Sequence, residues 1–153
     1  MPHSVHYFME MVKTKVWDDS IFSHNSNHIV LAELKDSKGN NKRDIFVENK
    51  ISTLSFPEYN TEYPHHKYTL GFGGRPGGPG FYINTEDNRD IHGPGGQLGY
   101  HLVEEADPCF AKVIEGRHVI DWMQLKHQKH PKHNPSSTKT LFTVIESIRI
   151  IND

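Results

Sequence analysis

The segment from Tyr68 to Gln97, YTLGFGGRPGGPGFYINTEDNRDIHGPGGQ, constrains this chain more than any other. It gathers most of the chain's 12 glycines around one short apolar run, Phe81-Tyr82-Ile83. Glycine reaches backbone angles and close approaches that a Cβ forbids, at an entropic cost on ordering. A segment that spends glycine this way beside aromatic residues is shaping a surface, and such surfaces often hold a binding groove. A flexible linker of the same glycine content would be padded with serine instead.

The rest of the composition narrows the possibilities. A length of 153 residues fits one domain, and eight Phe, six Tyr and two Trp can build a modest core. The formal net charge of −2, from 17 basic and 19 acidic residues, gives no electrostatic case for nucleic acid. The lone cysteine, Cys109, excludes an internal disulfide and a cysteine-based zinc site. Within the apolar run PCFAKVI it reads as a buried, unreactive thiol. Neither a signal peptide nor a membrane span is visible, and no Asn-x-Ser/Thr acceptor has a permitted middle residue. As written, the chain is expected in the cytoplasm. A start trimmed from a longer parent would instead allow the secretory pathway or a membrane anchor.

Periodicity supplies the elements. Residues 3–16 read as a helix burying Val5, Phe8, Met9 and Val12, with Ser4 as N-cap behind Pro2. Short β-type runs follow at Ile21-Phe22 and His28–Leu34, then a polar turn, DSKGNNKR, and a resumed strand over Asp44–Val47. Residues 51–64 are irregular. Tyr68–Phe72 and Phe81–Thr85 are strands joined by the glycine turn, and Cys109–Ile114 is another. Val119–Leu125 reads as a second helix with Val119, Trp122 and Met123 inward. Lys126–Thr138 reads as a polar loop. Leu141–Ile151 reads as the strongest strand, with Phe142, Val144, Ile148 and Ile150 sharing one parity. The sum is a β-rich α+β domain, a barrel or a sandwich.

Several chemistries fit poorly. Among the 12 histidines, His127, His130 and His133 recur at a spacing of three, but Pro131 and Pro135 break the helix that would align them. His24 and His28 lack the Glu of a zincin pattern, and His65 and His66 would point in opposite directions if extended. The glycine turn has no Lys-Ser/Thr and runs into a strand, so neither a P-loop nor a dinucleotide fingerprint is met. No G-x-S-x-G elbow occurs. A histidine-rich metal binder stays open on the Lys126–Ser137 stretch alone.

The run PGGPGFYINT resembles the cyclophilins, the peptidyl-prolyl isomerases, where a glycine-rich turn enters a Phe-Phe-Ile-Thr type strand. VHYFMEMV, SIFSHNSNHIVLAE, LGFGG, EADPCFAKVIEGRHVIDWM and LFTVIESIRI resemble further family segments in the same order, so the likeness spans about residues 3–151. FYINTEDN with HGPGGQ looks like a divergent branch. The resemblance implies a single cyclophilin-like domain over 1–153, an eight-stranded antiparallel barrel capped by two helices. The family opens with a β-hairpin before the first helix. This chain opens almost at that helix, so the domain is expected to lack its first two strands here, with either a trimmed or mis-assigned start or another segment covering the gap.

The resemblance also implies a groove for X-Pro peptides and a cofactor-free reaction, rotation about a bond with a barrier of ~20 kcal/mol. The family's proline-pocket Phe maps to Tyr82, and the small residue and Asn before the glycine turn map to Gly71 and Phe72. The apolar pair on the active-site strand maps to Ile29 and Val30, and its glutamine to Ala32. The catalytic arginine maps to His24, which can donate a hydrogen bond but lacks the fixed fork and permanent charge of Arg. His92 or Arg75 could enter the groove to compensate. The family's groove-lining Trp has no counterpart. Implied partners are proline-containing peptides or proteins and, at reduced affinity, cyclosporin-like ligands. Two readings follow, a slow isomerase and a catalytically silent proline-peptide binding module.

Overall fold

The computed structural model describes residues 1–51, 54–74, 77–96, 106–128 and 142–151, with the side chains of 23–25 and 126–128 outside that description. Among the described residues, four helices and six strands stand in the order α1 (Pro2–Lys13), β1 (Ser20–Asn25), β2 (Ile29–Asp36), α2 (Arg43–Glu48), β3 (Thr69–Phe72), β4 (Phe81–Asn84), α3 (Arg89–His92), β5 (Cys109–Lys112), α4 (Arg117–Gln128) and β6 (Thr143–Ile145). The strands form one antiparallel sheet in the order β5-β3-β4-β2-β1-β6. The sheet is not closed, and β5 and β6 are its edges among the described residues. No helix among them is long and apolar enough to cross a membrane.

Alternation along the central strands sorts side chains onto two faces. Val30, Ala32, Phe72, Phe81 and Ile83 face the main core with Tyr7, Met11 and Val12 of α1 and Ile120 and Met123 of α4. Trp17, fully buried, meets Phe81 edge-on at 4.8 Å. Phe72 stacks on Phe110 at 4.4 Å. All four residues of β4 are buried, because the opposite face of the sheet is covered as well. The turn entering β4 needs glycine at Gly78. Its φ is +104°, and a Cβ there would lie 2.7 Å from the Tyr7 ring.

Several elements differ from the periodicity reading. The inward face of α1 is Ser4, Tyr7, Met11 and Val12, while Val5 is 42% exposed. Ser4 is therefore no N-cap; Met1 holds that position. Ser4 can turn inward because its backbone N–H and its hydroxyl both donate to Glu58 Oε2, at 2.7 and 2.6 Å. The face of α4 is likewise rotated: Ile120, Met123 and Gln124 are buried, and Val119 and Trp122 are exposed. Gln124 Nε2 donates to the carbonyls of Ser26 and Asn27, which satisfies the N–H groups of the amide at the helix–sheet seam.

Asp44–Val47 belongs to α2, a helix, rather than to a strand. β2 is already flanked by β1 and β4, so no sheet edge is free beside it, and only Phe46 of α2 is buried. Lys42, just before α2, ties it to the turn after α1: its ammonium donates to the Val16 carbonyl at 2.9 Å and also to the Asp18 carbonyl. At the C-terminal end only Thr143–Ile145 is strand among the described residues. There the parity is the opposite of that expected, with Ile145 buried and Val144 40% exposed. Lys126–Gln128 continue α4 instead of opening a loop, and 129–138 lie outside the described residues.

Candidate functional site

The sheet register builds a row of backbone neighbours across four strands. His24 of β1 pairs with Leu31 of β2, Leu31 with Tyr82 of β4, and Tyr82 with Gly71 of β3. Gly71 leaves space for Tyr82 that no other residue would leave, since a Cβ there would lie 2.5 Å from the phenol oxygen. Ile29 pairs with Asn84 in the next row of the same face.

The expected pocket residues divide between the two faces of the sheet. Ile29, Gly71 and Tyr82 belong to the outer face, with His92 resting on it. Val30, Ala32 and Phe72 are fully buried on the inner face, in the core with α1. Strand alternation makes this division unavoidable for adjacent pairs such as Ile29-Val30 and Gly71-Phe72. His24 is located by its backbone alone, its side chain lying outside the described residues, as does Arg75.

Tyr82 is 1% exposed, so its ring lies under cover and not in an open slot. The cover is a polar cluster. The His92 imidazole stacks on the Tyr82 ring with centroids 4.5 Å apart and planes at 29°. His92 Nδ1 lies 2.7 Å from Asp107 Oδ2, and the Tyr82 hydroxyl donates to the same oxygen at 3.0 Å. The Asp107 backbone N–H donates to the His92 carbonyl at 2.9 Å, so the two residues are joined twice. His65 Nε2 donates to the Asp107 carbonyl at 2.9 Å. Asn84 Nδ2 donates to Thr69 Oγ1 at 2.9 Å, and Asn88 Nδ2 donates to Asn84 Oδ1 at 2.6 Å and to the His28 carbonyl at 2.8 Å. His65, Asn84 and Asn88 are fully buried. Buried polar groups on this scale persist because they satisfy one another.

The sequence reading missed His65, Asn84, Asn88 and Asp107 as members of this cluster. Asp107, in EADPC, carries no local mark of burial. His65 and His66 do diverge, one fully buried and the other exposed and 3.1 Å from Asp87. Cys109, opposite Gly71 in the sheet, is buried, and burial pushes its thiol pKa up. Among the described residues no group of three or more His, Cys, Asp or Glu could hold a metal ion. His130 and His133 lie outside those residues, as does the side chain of His127. An apolar surface hollow of about 610 Å³ lies at the start of α1, between Val5, Tyr63 and Phe110, away from Tyr82.

Comparison with known proteins gives this architecture its context. Among solved structures, a cyclophilin type peptidyl-prolyl cis-trans isomerase of Cryptosporidium parvum, crystallised in the presence of the dipeptide Ala-Pro, superimposes with a TM-score of 0.62. The match covers 99% of this chain and 87% of that one at 13% identity, which establishes a shared fold. No curated protein matches the sequence. The sequence profile described as "Cyclophilin type peptidyl-prolyl cis-trans isomerase/CLD" matches residues 1–146, nearly the whole chain. With helix α1, the glycine turn into β4 and the β5–α4 segment all inside that match, the chain belongs to the cyclophilin-type peptidyl-prolyl cis-trans isomerase family.

Proposed function

We propose that the chain acts on X-Pro bonds of peptides or proteins as a slow peptidyl-prolyl isomerase, on the outer face of β2, β4 and β3 beside Tyr82. The family match over residues 1–146 is the observation that carries this reading. The related protein crystallised in the presence of Ala-Pro supports a proline peptide as the ligand class. The reaction breaks no bond. It rotates an amide over a barrier of ~20 kcal/mol, and a catalyst need only favour the twisted state. An aromatic floor removes the prolyl ring from water, and a hydrogen-bond donor near the prolyl nitrogen offsets the lost conjugation.

In this reading Ile29, Gly71, Tyr82 and His92 face the substrate, and Val30, Ala32 and Phe72 support the strands from behind. His24 supplies the donor from the row it shares with Leu31 and Tyr82. Replacing a forked, permanently charged guanidinium by an imidazole costs transition-state stabilisation, of the order of 10²–10³ in rate where one precise donor is lost. Cyclosporin-like cyclic peptides would bind the same face at reduced affinity.

The second reading is a silent proline-peptide binding module; the lack of the family's arginine at His24 favours it, and Tyr82 fits both readings. Exchange spectroscopy on an Ala-Pro peptide separates the two. Isomer exchange above the uncatalysed rate, lowered about 10-fold or more by His24→Ala, is the expected result. Binding without exchange identifies the silent module, and equal rates in the two proteins remove His24 from the mechanism. A peptide that neither binds nor exchanges at millimolar concentration excludes both readings.

A further inference from the structure

A prolyl side chain is a small five-membered ring, and in the proposed function its seat is the face of Tyr82. That face already carries a five-membered ring. The His92 imidazole covers it at 4.5 Å and 29°, the geometry of an offset stack. Asp107 clasps the occupant, through Nδ1 to Oδ2 at 2.7 Å and through the backbone at 2.9 Å, and the His28 and His65 rings lie 5.4 and 5.7 Å from it. Asp107 Oδ2 also receives the Tyr82 hydroxyl at 3.0 Å, so floor, occupant and clasp form one unit.

We propose that His92 is a built-in occupant of the prolyl seat, an autoinhibitory contact clasped by Asp107 that a substrate peptide must displace. This inference rests on the reading of Tyr82 as the floor of the X-Pro site. Two rings cannot stack on one face of Tyr82 in the same volume, so His92 and a prolyl ring exclude each other there. His92 is also the member of the cluster placed to move. It is the last residue of the four-residue helix α3 and is 7% exposed, whereas Tyr82 and Asp107 are each 1% exposed and Tyr82 is paired into the sheet on both sides. A site whose competent state is a minor population binds its ligand more weakly by the fraction open.

The test is a titration of the full chain with an Ala-Ala-Pro-Ala peptide, read by amide chemical shifts, for wild type, His92→Ala and Asp107→Asn. The variants are expected to bind about 10-fold or more tighter than wild type, as removal of a tenfold closed bias would give. In wild type, the nuclear Overhauser contact between the His92 and Tyr82 rings is expected to vanish as peptide saturates. That measurement decides the matter alone if a variant fails to fold. Folded variants that bind with wild-type affinity, or a ring contact that persists at saturation, overturn the proposal and leave the X-Pro reading standing. A peptide that binds none of the three folded proteins removes the X-Pro reading, and the inference with it.

Discussion

Gly71 and Tyr82 face each other across the β3–β4 pair with no room for a methyl group between them. A Cβ on Gly71 would stand 2.5 Å from the Tyr82 oxygen, 2.6 Å from Cζ and 2.9 Å from the Pro108 carbonyl. The glycine is required here by close approach. Gly71→Ala should destabilise the fold by about 1–3 kcal/mol, as overpacking of a dense interior does. It should also push the phenol away from Asp107. A shift of the urea midpoint measures the first effect, and loss of the Tyr82–His92 ring contact in a nuclear Overhauser spectrum measures the second. An unchanged midpoint would contradict the packing argument.

Tyr7 presents the opposite case, a buried group with something to lose. Its ring packs on Phe72 at 5.1 Å, but its hydroxyl has no hydrogen-bond partner among the described residues. Tyr7→Phe keeps the ring and removes the unsatisfied oxygen, so stability should stay level or rise by up to ~1 kcal/mol. Burial also pushes the Tyr7 phenol pKa well above its ordinary 10.0. A pKa raised on folding gives stability that is full below the unfolded value and is lost as pH rises beyond it. The wild type should therefore lose stability above pH 10.0 with a component that Tyr7→Phe lacks. Denaturant titrations at pH 9 and pH 11 compare the two.

Glu58 anchors the first turn of α1 by accepting from the His3 N–H, the Ser4 N–H and the Ser4 hydroxyl. Burial raises its carboxyl pKa, but these hydrogen bonds outweigh that and hold it below its ordinary 4.5. A pKa depressed on folding gives stability present above the unfolded value and lost as pH falls through the folded one. Glu58→Gln should cost about 1 kcal/mol at neutral pH, less than a buried charge-assisted bond because the carboxylate is only half-buried and screened by solvent. The deficit should shrink below pH 4.5, where the wild-type carboxylate itself takes up a proton. Thermal melts of both proteins between pH 3 and pH 7 check this.

Cys109 should be almost inert in the native state. The thiol is buried, and burial raises its pKa, so little of the reactive thiolate is presented. Alkylation requires the sheet beside β3 to open. Reaction with iodoacetamide should be slower by about 10² or more in the folded protein than in urea. Comparable rates would mean that β5 leaves the sheet readily.

The glycine turn and its two strands could be read from the chain because their cues are local. The residues FYI and the flanking glycines specify an extended run, a tight entry and a second strand, and β3 and β4 follow that pattern. The two long helices were visible for the same reason, through their periodicity. Their inward faces were visible only in part: Phe8, Val12 and Met123 pack inward as expected, while Val5, Val119 and Trp122 are exposed. Both carry apolar residues on more than one side, and the choice went to Ser4 and Gln124, whose partners lie 54 to 98 residues away. β6 shows the same limit, since alternation is equally regular on either face and the neighbouring strand decides which residue is buried.

Hydrophobic alternation, glycine placement and family motifs thus determined by sequence alone that this chain folds as a cyclophilin-type domain with Tyr82 on a central strand. Only the tertiary structure decided what lies on Tyr82. A polar side chain enters an interior when its partners meet it there. His65, His92 and Asp107 reach that arrangement from three separate segments, and no local pattern records it.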